Sequence, residues 1–551
     1  MTATETAAQA ADSTGQQKFK VLAADKLAKQ GLDWIESQSD AELVNKPGLS
    51  EDELAQTVGD HDAMIVRSGV KVTAKVLENP GRLKVIARAG VGVDNIDLEA
   101  ATQKGILVVN TAEANTITTC EHAIALMLGA ARHLGPAYQS MAEGKWDRSK
   151  FKGQQMAGKT LGIVGFGRIG QAIAERALAF DMSVVAYDPF INADTMMDGR
   201  VKIYKDFKKM LPSLDVVTFH VPLNDKTRGM LSKETFKQCK DNLIVVNASR
   251  GGVVDEDDLL EALDNEQVAA AGLDVYVDEP LPQESKLRNH PKVLTTPHLG
   301  ASTVEAQQAV SIDAAASCMT FLRGEGVKGA VNAAGLRLDL SDIQRRYVDL
   351  ARRMGMLIDP LGEGVESINF EIAGEELVSA SEMIERQSLV TLLASHLTDP
   401  VNLVNVRHVA DQRSIKAKTV ERDADRFGPS LTIEVKGGGE TRRVVGRVYD
   451  DRRPRVVEIN GYHLDMVPAG HMVLLQNQDK PGMIGWVGDQ FGNADVNIAD
   501  MTISRQSSKD GTALMVIHTD AAAPDALLKS LRQQEGILKV AVAELPEANG
   551  E

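Results

Sequence analysis

The stretch Thr160 to Pro189, TLGIVGFGRIGQAIAERALAFDMSVVAYDP, limits what this chain can fold into more than any other. Thr160 to Val164 is a short apolar, β-rich run, as a buried parallel strand requires. Gly165, Gly167 and Gly170 follow as G-x-G-x-x-G, and Ile169, Ile173, Ala174 and Ala177 then recur at helical spacing. Ser183 to Tyr187 reads as a second strand, closed by Asp188. Gly165 permits a tight turn, Gly167 lets a pyrophosphate approach the backbone, and Gly170 lets helix and strand pack closely, with the helix N-terminus facing the anion. A glycine-rich turn alone also suits an ordinary α/β domain. Strand, glycines, helix, strand and acid in this order point to a dinucleotide. Asp188 is expected to accept hydrogen bonds from the adenine ribose and to repel a 2′-phosphate, which favours NAD over NADP.

The chain of 551 residues is too long for one core, so roughly three or four domains are expected. A formal net charge of −16 argues against a general binder of nucleic acid or anionic membrane. A small anionic substrate stays open, because a local arginine cluster overrides the global sign. Cys120, Cys239 and Cys318 are widely spaced, with no metal pattern and no disulfide framework, which suits a cytoplasmic protein. No apolar run reaches the roughly 18 residues of a membrane span. Residues 1–17 are polar, without a basic start or apolar centre, and read as a disordered leader.

The expected fold is α/β: two Rossmann-like doubly wound domains, then an α+β domain, then a ferredoxin-like unit. Phe19 to Ala24, Ala63 to Val66 and Leu83 to Arg88 read as strands of a substrate-binding domain over 18–113. Ala114 to Leu134 is a long helical pattern that opens a dinucleotide-binding domain over 114–298. The helical pattern Ser302 to Leu322 is expected to return to the first domain, which then also includes 299–332. Gly324 to Gly335 reads as a linker. Residues 336–467 mix helical and strand-like runs, and 470–545 follow the order β-α-β-β-α-β.

Three segments beyond the glycine loop carry chemistry. NASRGG (Asn247 to Gly252) follows an apolar strand and places Arg250 where a doubly wound sheet binds ligands, although a surface salt bridge is the plainer role. GLDVYVDEP puts Asp274 and Glu279 after another strand, or in a solvated acidic turn. TPHLGAST puts His298 after a strand and a proline. Removing hydride from a secondary alcohol requires a base for the hydroxyl proton, and histidine titrates in the right range. Glu279 is expected to favour the imidazolium, and Arg250 to grip a carboxylate.

The ordered set GFGRIG, NASRGGVVDE, GLDVYVDEP and PHLGAST is similar to the D-isomer-specific 2-hydroxyacid dehydrogenases over about Lys18 to Asn332. The resemblance implies Arg250, Glu279 and His298 as the catalytic set. It implies NAD contacts at Gly165, Gly167, Arg168, Ile169, Gly170, Asp188, Val221, Ala248, Ser249, Arg250, Asp274, His298, Leu299, Gly300 and Ala301. RSGVKV, RAGVGVDNIDLEAAT and GKWDRSKF resemble the branch of that family that acts on 3-phosphoglycerate. Arg67, Ser68, Gly69, Arg88, Gly90, Val91, Gly92 and Arg148 are then the substrate residues, and the segment around Trp146 is expected to reach a neighbouring subunit of a homo-oligomer, dimer or tetramer. VLLQNQDKPGMIGWVGDQFGNADVNIADMTISR resembles an ACT regulatory domain. There Asn477, Asp479 and Asn497 occupy the polar positions at which L-serine acts as an effector. The implied activity is NAD-dependent oxidation of 3-phosphoglycerate. Its rivals are reduction of glyoxylate or 2-oxoglutarate, and a non-catalytic dinucleotide-sensing co-repressor.

Overall fold

The structure, a computed structural model, describes residues 18–333, 335–394, 396–397, 400–505 and 511–547. The leader expected over 1–17 lies outside them.

Five short strands form the first sheet: β1 (Phe19–Ala23), β2 (Ala41–Asn45), β3 (Ala63–Val66), β4 (Val85–Arg88) and β5 (Leu107–Asn110), all parallel in the order β2-β1-β3-β4-β5. Apart from the edge strand β2, the strands are largely apolar because both faces are covered. Val21, Ala63, Ile65, Val85 and Leu107 enter one core cluster, while their neighbours Leu22, Met64, Ile86 and Val108 enter another. β2 escaped the sequence reading because AELVN is a half-exposed edge strand.

The second sheet contains β6 (Thr160–Val164), β7 (Ser183–Tyr187), β8 (Thr195–Met196), β9 (Val201–Tyr204), β10 (Val216–Phe219), β11 (Leu243–Asn247), β12 (Val268–Leu273) and β13 (Val293–Thr295). Its order is β13-β12-β11-β10-β6-β7-β9-β8, parallel except for β8. Chain order reverses between β6 and β10, the switch point at which such sheets bind ligands. Two clusters again split the strands by parity, with Leu161 and Ile244 on one face and Val164 and Val245 on the other.

The chain crosses between these sheets twice. After β5 it enters the helix Thr116–Ala131, whose Ala123, Leu126 and Met127 pack into the second sheet's core. The single helical pattern expected to Leu134 breaks at Arg132, and left-handed His133 starts a separate helix, Leu134–Ala142. The chain crosses back after β13. Thr303 caps the helix Val304–Leu322, which buries Val310, Ala314 and Cys318 in the first sheet's core. Residues 329–332 then lie beside β5, where the Asn110 amide donates to the Gly329 carbonyl (2.9 Å).

A six-stranded sheet follows, in the order β15-β14-β16-β17-β18-β19. Its strands are β14 (Ser367–Ala373), β15 (Lys416–Arg422), β16 (Ser430–Gly437), β17 (Glu440–Val448), β18 (Pro454–Ile459) and β19 (Tyr462–Met466). The last four strands, β20 (Gly470–Gln478), β21 (Ile498–Arg505), β22 (Thr512–Thr519) and β23 (Ile537–Leu545), pair antiparallel as β21-β22-β20-β23. The helices Met483–Asn493 and Asp525–Gln533 cover one face. The other face shares a core with the six-stranded sheet: Leu474, Val516 and Ala543 lie in one cluster with Tyr347, Met354 and Ile433. Arg353, 2 % exposed, ties the two together by donating to the Pro468 and Pro546 carbonyls.

Candidate active site

The glycine loop joins β6 to the helix Arg168–Ala179. Gly165 is left-handed (φ +90°), and any Cβ there would overlap the His220 carbonyl. A Cβ on Gly170 would overlap the Gly165 carbonyl. A Cβ on Gly167 would meet no protein atom within 4 Å, so that face is left for a ligand. Asp188, at the end of β7, accepts from the amides of Phe166 (3.0 Å) and Phe190 (2.9 Å), which sets its carboxylate beside the loop. These features fit a dinucleotide. Val221 flanks Gly165, and buried Ala248 and Ser249 follow β11. The Arg168 side chain instead pairs with Glu113 at the first crossing (2.6 Å), beside a cavity of about 410 Å³.

Arg250, Glu279 and His298 come from three loops after β11, β12 and β13. His298 Nδ1 lies 2.7 Å from Glu279 Oε2. With the carboxylate as acceptor, Nδ1 carries the proton and Nε2 is left to act as a base. Glu279 is held in turn by the Tyr276 amide (3.1 Å). The hydrogen bond to Glu279 raises the His298 pKa, against the effect of burial and of the Arg250 charge. Burial pushes Glu279 up, but the His298 hydrogen bond and charge bring it below its usual value. His298 is left-handed (φ +54°), a conformation that costs a β-carbon residue about 1 kcal/mol and has to be imposed by its surroundings.

Of the residues expected to bind substrate, those of the first sheet's domain follow the ends of β3 and β4. Arg88 is largely buried, its Nε has no hydrogen-bond partner, and its Nη1 donates to the Ala89 carbonyl (3.1 Å). Burial first, and then the charges of Arg250 and Arg67, bring its guanidinium down to about 10. Gly90 (φ +139°) leaves room for Arg88 Nη1, and Gly92 leaves room for Arg250 Nη2; a Cβ at either would overlap the guanidinium. Arg250 spans the cleft, with Nε on Asp94 of the first sheet's domain (3.0 Å) and Nη1 on its own Ser249 carbonyl (2.6 Å). Val91 is pinned by Asn110 (2.7 Å), and Ser68 is exposed on the loop with Arg67. Arg148 is exposed on the turn Arg148–Phe151.

Several residues of the site escaped the sequence reading. Asp25, after β1, holds the Arg67 and Gly69 amides (3.1 and 3.0 Å). Asn95 Nδ2 donates to the Arg67 and Val70 carbonyls, joining the two substrate loops. Asn115 Oδ1 and Thr116 Oγ1 are buried at the first crossing without hydrogen-bond partners. Asp274, expected at the cofactor, is 1 % exposed and holds the turn that carries His298: it accepts from Thr296 Oγ1 (2.6 Å), the Leu299 amide (2.7 Å) and the Gly300 amide (2.8 Å). His122 joins it from the helix Thr116–Ala131. A strand-end position was the only available signal for Asp25. His122 had none, because its partners are more than 150 positions away.

At the far end of the chain, Asn477 is 1 % exposed, and its Oδ1 is buried without a partner. Asp479 pairs with Arg505 (3.0 Å), and Asn497 donates to Asp520 (2.7 Å).

Two doubly wound sheets facing across a cleft, with a dinucleotide loop on one side and a His–Glu–Arg set at the strand ends, define a two-domain NAD-dependent oxidoreductase. Residues 124–300 match the NAD binding domain of the D-isomer specific 2-hydroxyacid dehydrogenases, and residues 344–460 match the D-3-phosphoglycerate dehydrogenase intervening domain. A D-3-phosphoglycerate dehydrogenase of Archaeoglobus fulgidus is 38 % identical over 530 residues, covering 96 % of this chain and 100 % of its own. One of Bacillus subtilis is 37 % identical over 531 residues, again covering 96 % and 100 %. The structure of an NAD-dependent formate dehydrogenase from Staphylococcus aureus, in complex with NAD, superposes with a TM-score of 0.51 at 28 % identity, covering 57 % of this chain and 99 % of that one. The chain belongs to the D-3-phosphoglycerate dehydrogenase family of D-isomer-specific 2-hydroxyacid dehydrogenases.

Proposed function

We propose that this chain oxidises 3-phospho-D-glycerate to 3-phosphohydroxypyruvate with NAD, the first step of L-serine biosynthesis. The observation that carries the reading is the meeting of Arg67, Arg88 and Arg250 beside the His298–Glu279 pair. Three cations with an unsatisfied guanidinium call for a ligand with more than one negative charge, and a phosphorylated hydroxy acid supplies a carboxylate and a phosphate.

Bound at the glycine loop, NAD supplies the hydride acceptor. The remaining work falls to the chain's own residues. Arg250 Nη2 faces the cleft and binds the substrate carboxylate, while Arg67 and Arg88 take the phosphate. His298 Nε2 accepts the hydroxyl proton as the C2–H bond breaks, and Glu279 stabilises the imidazolium that forms. In the reductive direction the same proton returns to the carbonyl oxygen.

Residues 18–113 with 299–332 serve as the substrate domain, 114–298 as the NAD domain, 336–467 as the intervening domain and 470–545 as an ACT domain. The strand order β21-β22-β20-β23 with two helices on one face supports the last assignment. L-Serine is proposed to act near Asn477, Asp479 and Asn497. The exposed Leu134, Tyr138, Met141 and Trp146 support a homo-oligomer that buries them. Free Cys120, Cys239 and Cys318 support a cytoplasmic setting, and among the described residues no helix is long and apolar enough to cross a membrane.

An NADH-linked assay comparing 3-phosphoglycerate with unphosphorylated 2-hydroxy acids, with and without L-serine, tests the reading. Preference for glycerate or 2-hydroxyglutarate would overturn the substrate assignment, and turnover unchanged by serine would overturn the effector.

A further inference from the structure

His298 stands on a left-handed turn between a strand and a helix, and its usefulness as a base depends on that turn keeping its shape. The turn is braced from below by a residue of a different element. His122 Nε2, on the helix Thr116–Ala131, lies 3.1 Å from Thr296 Oγ1 and 3.1 Å from Asp274 Oδ1. Thr296 Oγ1 donates its hydrogen bond to Asp274 Oδ1 (2.6 Å), so its oxygen accepts from His122, whose Nε2 carries the hydrogen. Asp274 spends its carboxylate on the amides of Leu299 and Gly300, and its backbone carbonyl accepts the His298 amide (2.9 Å). One helical turn before His122, Thr118 Oγ1 meets Thr303 Oγ1 (3.2 Å) at the start of the helix Val304–Leu322. One face of a single helix therefore holds both ends of the segment 296–303 that carries His298.

We propose that His122 is a positioning residue for His298, acting through Thr296 and Asp274 to fix the catalytic turn, and rests on the reading of His298 as the proton acceptor. His122 does not touch the cleft chemistry. It occupies the buried carboxylate of Asp274, whose side chain is 1 % exposed. Without that partner, Asp274 has fewer donors to hold its charge, and the turn loses its brace against relaxing out of the left-handed region.

The test compares His122→Leu, which removes the donor, with His122→Gln, which returns an N–H at similar reach. His122→Leu is expected to lower kcat at least about tenfold while the KM for 3-phosphoglycerate and for NAD stays within about twofold, the pattern of a displaced group rather than lost binding. His122→Gln is expected to recover most of that loss. A second readout separates positioning from general stability. The charged groups facing His298 are Glu279, Asp274 and Arg250, and its pKa is raised chiefly by Glu279. If the turn loosens, the acid limb of the kcat profile moves down towards the ordinary histidine value. Thr296→Val, nearly isosteric, is expected to move kcat and the limb in the same direction if His122→Leu does not fold. Wild-type kcat with an unmoved limb, or a loss that His122→Gln fails to restore, overturns the proposal. Retained turnover in His298→Ala overturns instead the reading on which it rests, so the two failures are told apart.

Discussion

Arg88 holds a charge that its own surroundings do not satisfy. Its Nε is buried and without a partner, and the charges next in influence on it are the cations Arg250 and Arg67. A site built this way is stabilised by its ligand. Arg88→Ala is therefore expected to raise the KM for 3-phosphoglycerate by at least about tenfold, about 1.4 kcal/mol, while leaving the turnover of unphosphorylated hydroxy acids nearly unchanged in the same steady-state assay. Gly92 is the companion case. Gly92→Ala pushes into Arg250 Nη2, and kcat/KM is expected to fall by about tenfold or more without a change in melting temperature. The His298–Glu279 pair sets the pH response. Oxidation needs neutral His298, whose pKa Glu279 raises, so the acid limb of kcat/KM is expected above the ordinary histidine range, with activity growing as pH rises through it. Glu279→Gln removes the main cause of the rise, and the limb is expected to move to lower pH. At this scale the sequence was legible where chemistry is local: Arg250, Glu279 and His298 each follow a recognisable strand. Asp25, Asn95 and His122 were not, because each acts through partners that only the folded sheets bring near.

The strands and their ends decide what the elements can do. Asp188 closes β7 next to the strand that leads into the glycine loop, and two backbone amides hold its carboxylate there. The discrimination against a 2′-phosphate expected of Asp188 would follow from this strand-end geometry. Asp188→Ala is expected to lower the ratio of NAD to NADP efficiency by at least about tenfold, read from kcat/KM with each cofactor. Most parallel strands of the first two sheets were readable because burial on both faces demands unbroken apolar runs, but β2, half-exposed at the sheet edge, was not. β15, KAKTVER, is an exposed edge strand whose charges guard against edge pairing, and nothing in its composition distinguishes it from a loop. β14, SINFEIA, does alternate, with Ile368, Phe370 and Ile372 turned to the core, but it is flanked by glycines that suggest a turn. The helix expected to run to Leu134 stops early, where His133 takes up a left-handed conformation.

The whole molecule divides differently from its strand pattern. The six-stranded and four-stranded sheets share one core and are riveted by Arg353, so they are expected to lose structure together. Leu474→Ala, in β20, is expected to cost about 2–5 kcal/mol, and amide hydrogen exchange should quicken in β14, β16 and β17 as well as in β20 itself. Faster exchange confined to the four-stranded sheet would show that they unfold separately. This coupling was not visible in the sequence, because residues in the two sheets' shared core are separated by connections that read as ordinary turns. This half also packs on the first sheet's domain: Met383 and Val404 lie in that sheet's core cluster, and Asn402 Nδ2 donates to the Gly105 carbonyl (2.9 Å), just before β5. The catalytic half has a different kind of connection. The polypeptide passes from one doubly wound sheet to the other near Asn115 and returns near Thr303, and Thr118 meets Thr303 where the two passages run side by side. A protease that cut either passage would leave the halves tethered by the other. Paired passages also restrict any movement between the halves: two bodies joined at neighbouring points can turn only about the line through them, like a door on two hinges, and such a turn would return Arg250 to the same place opposite Gly92.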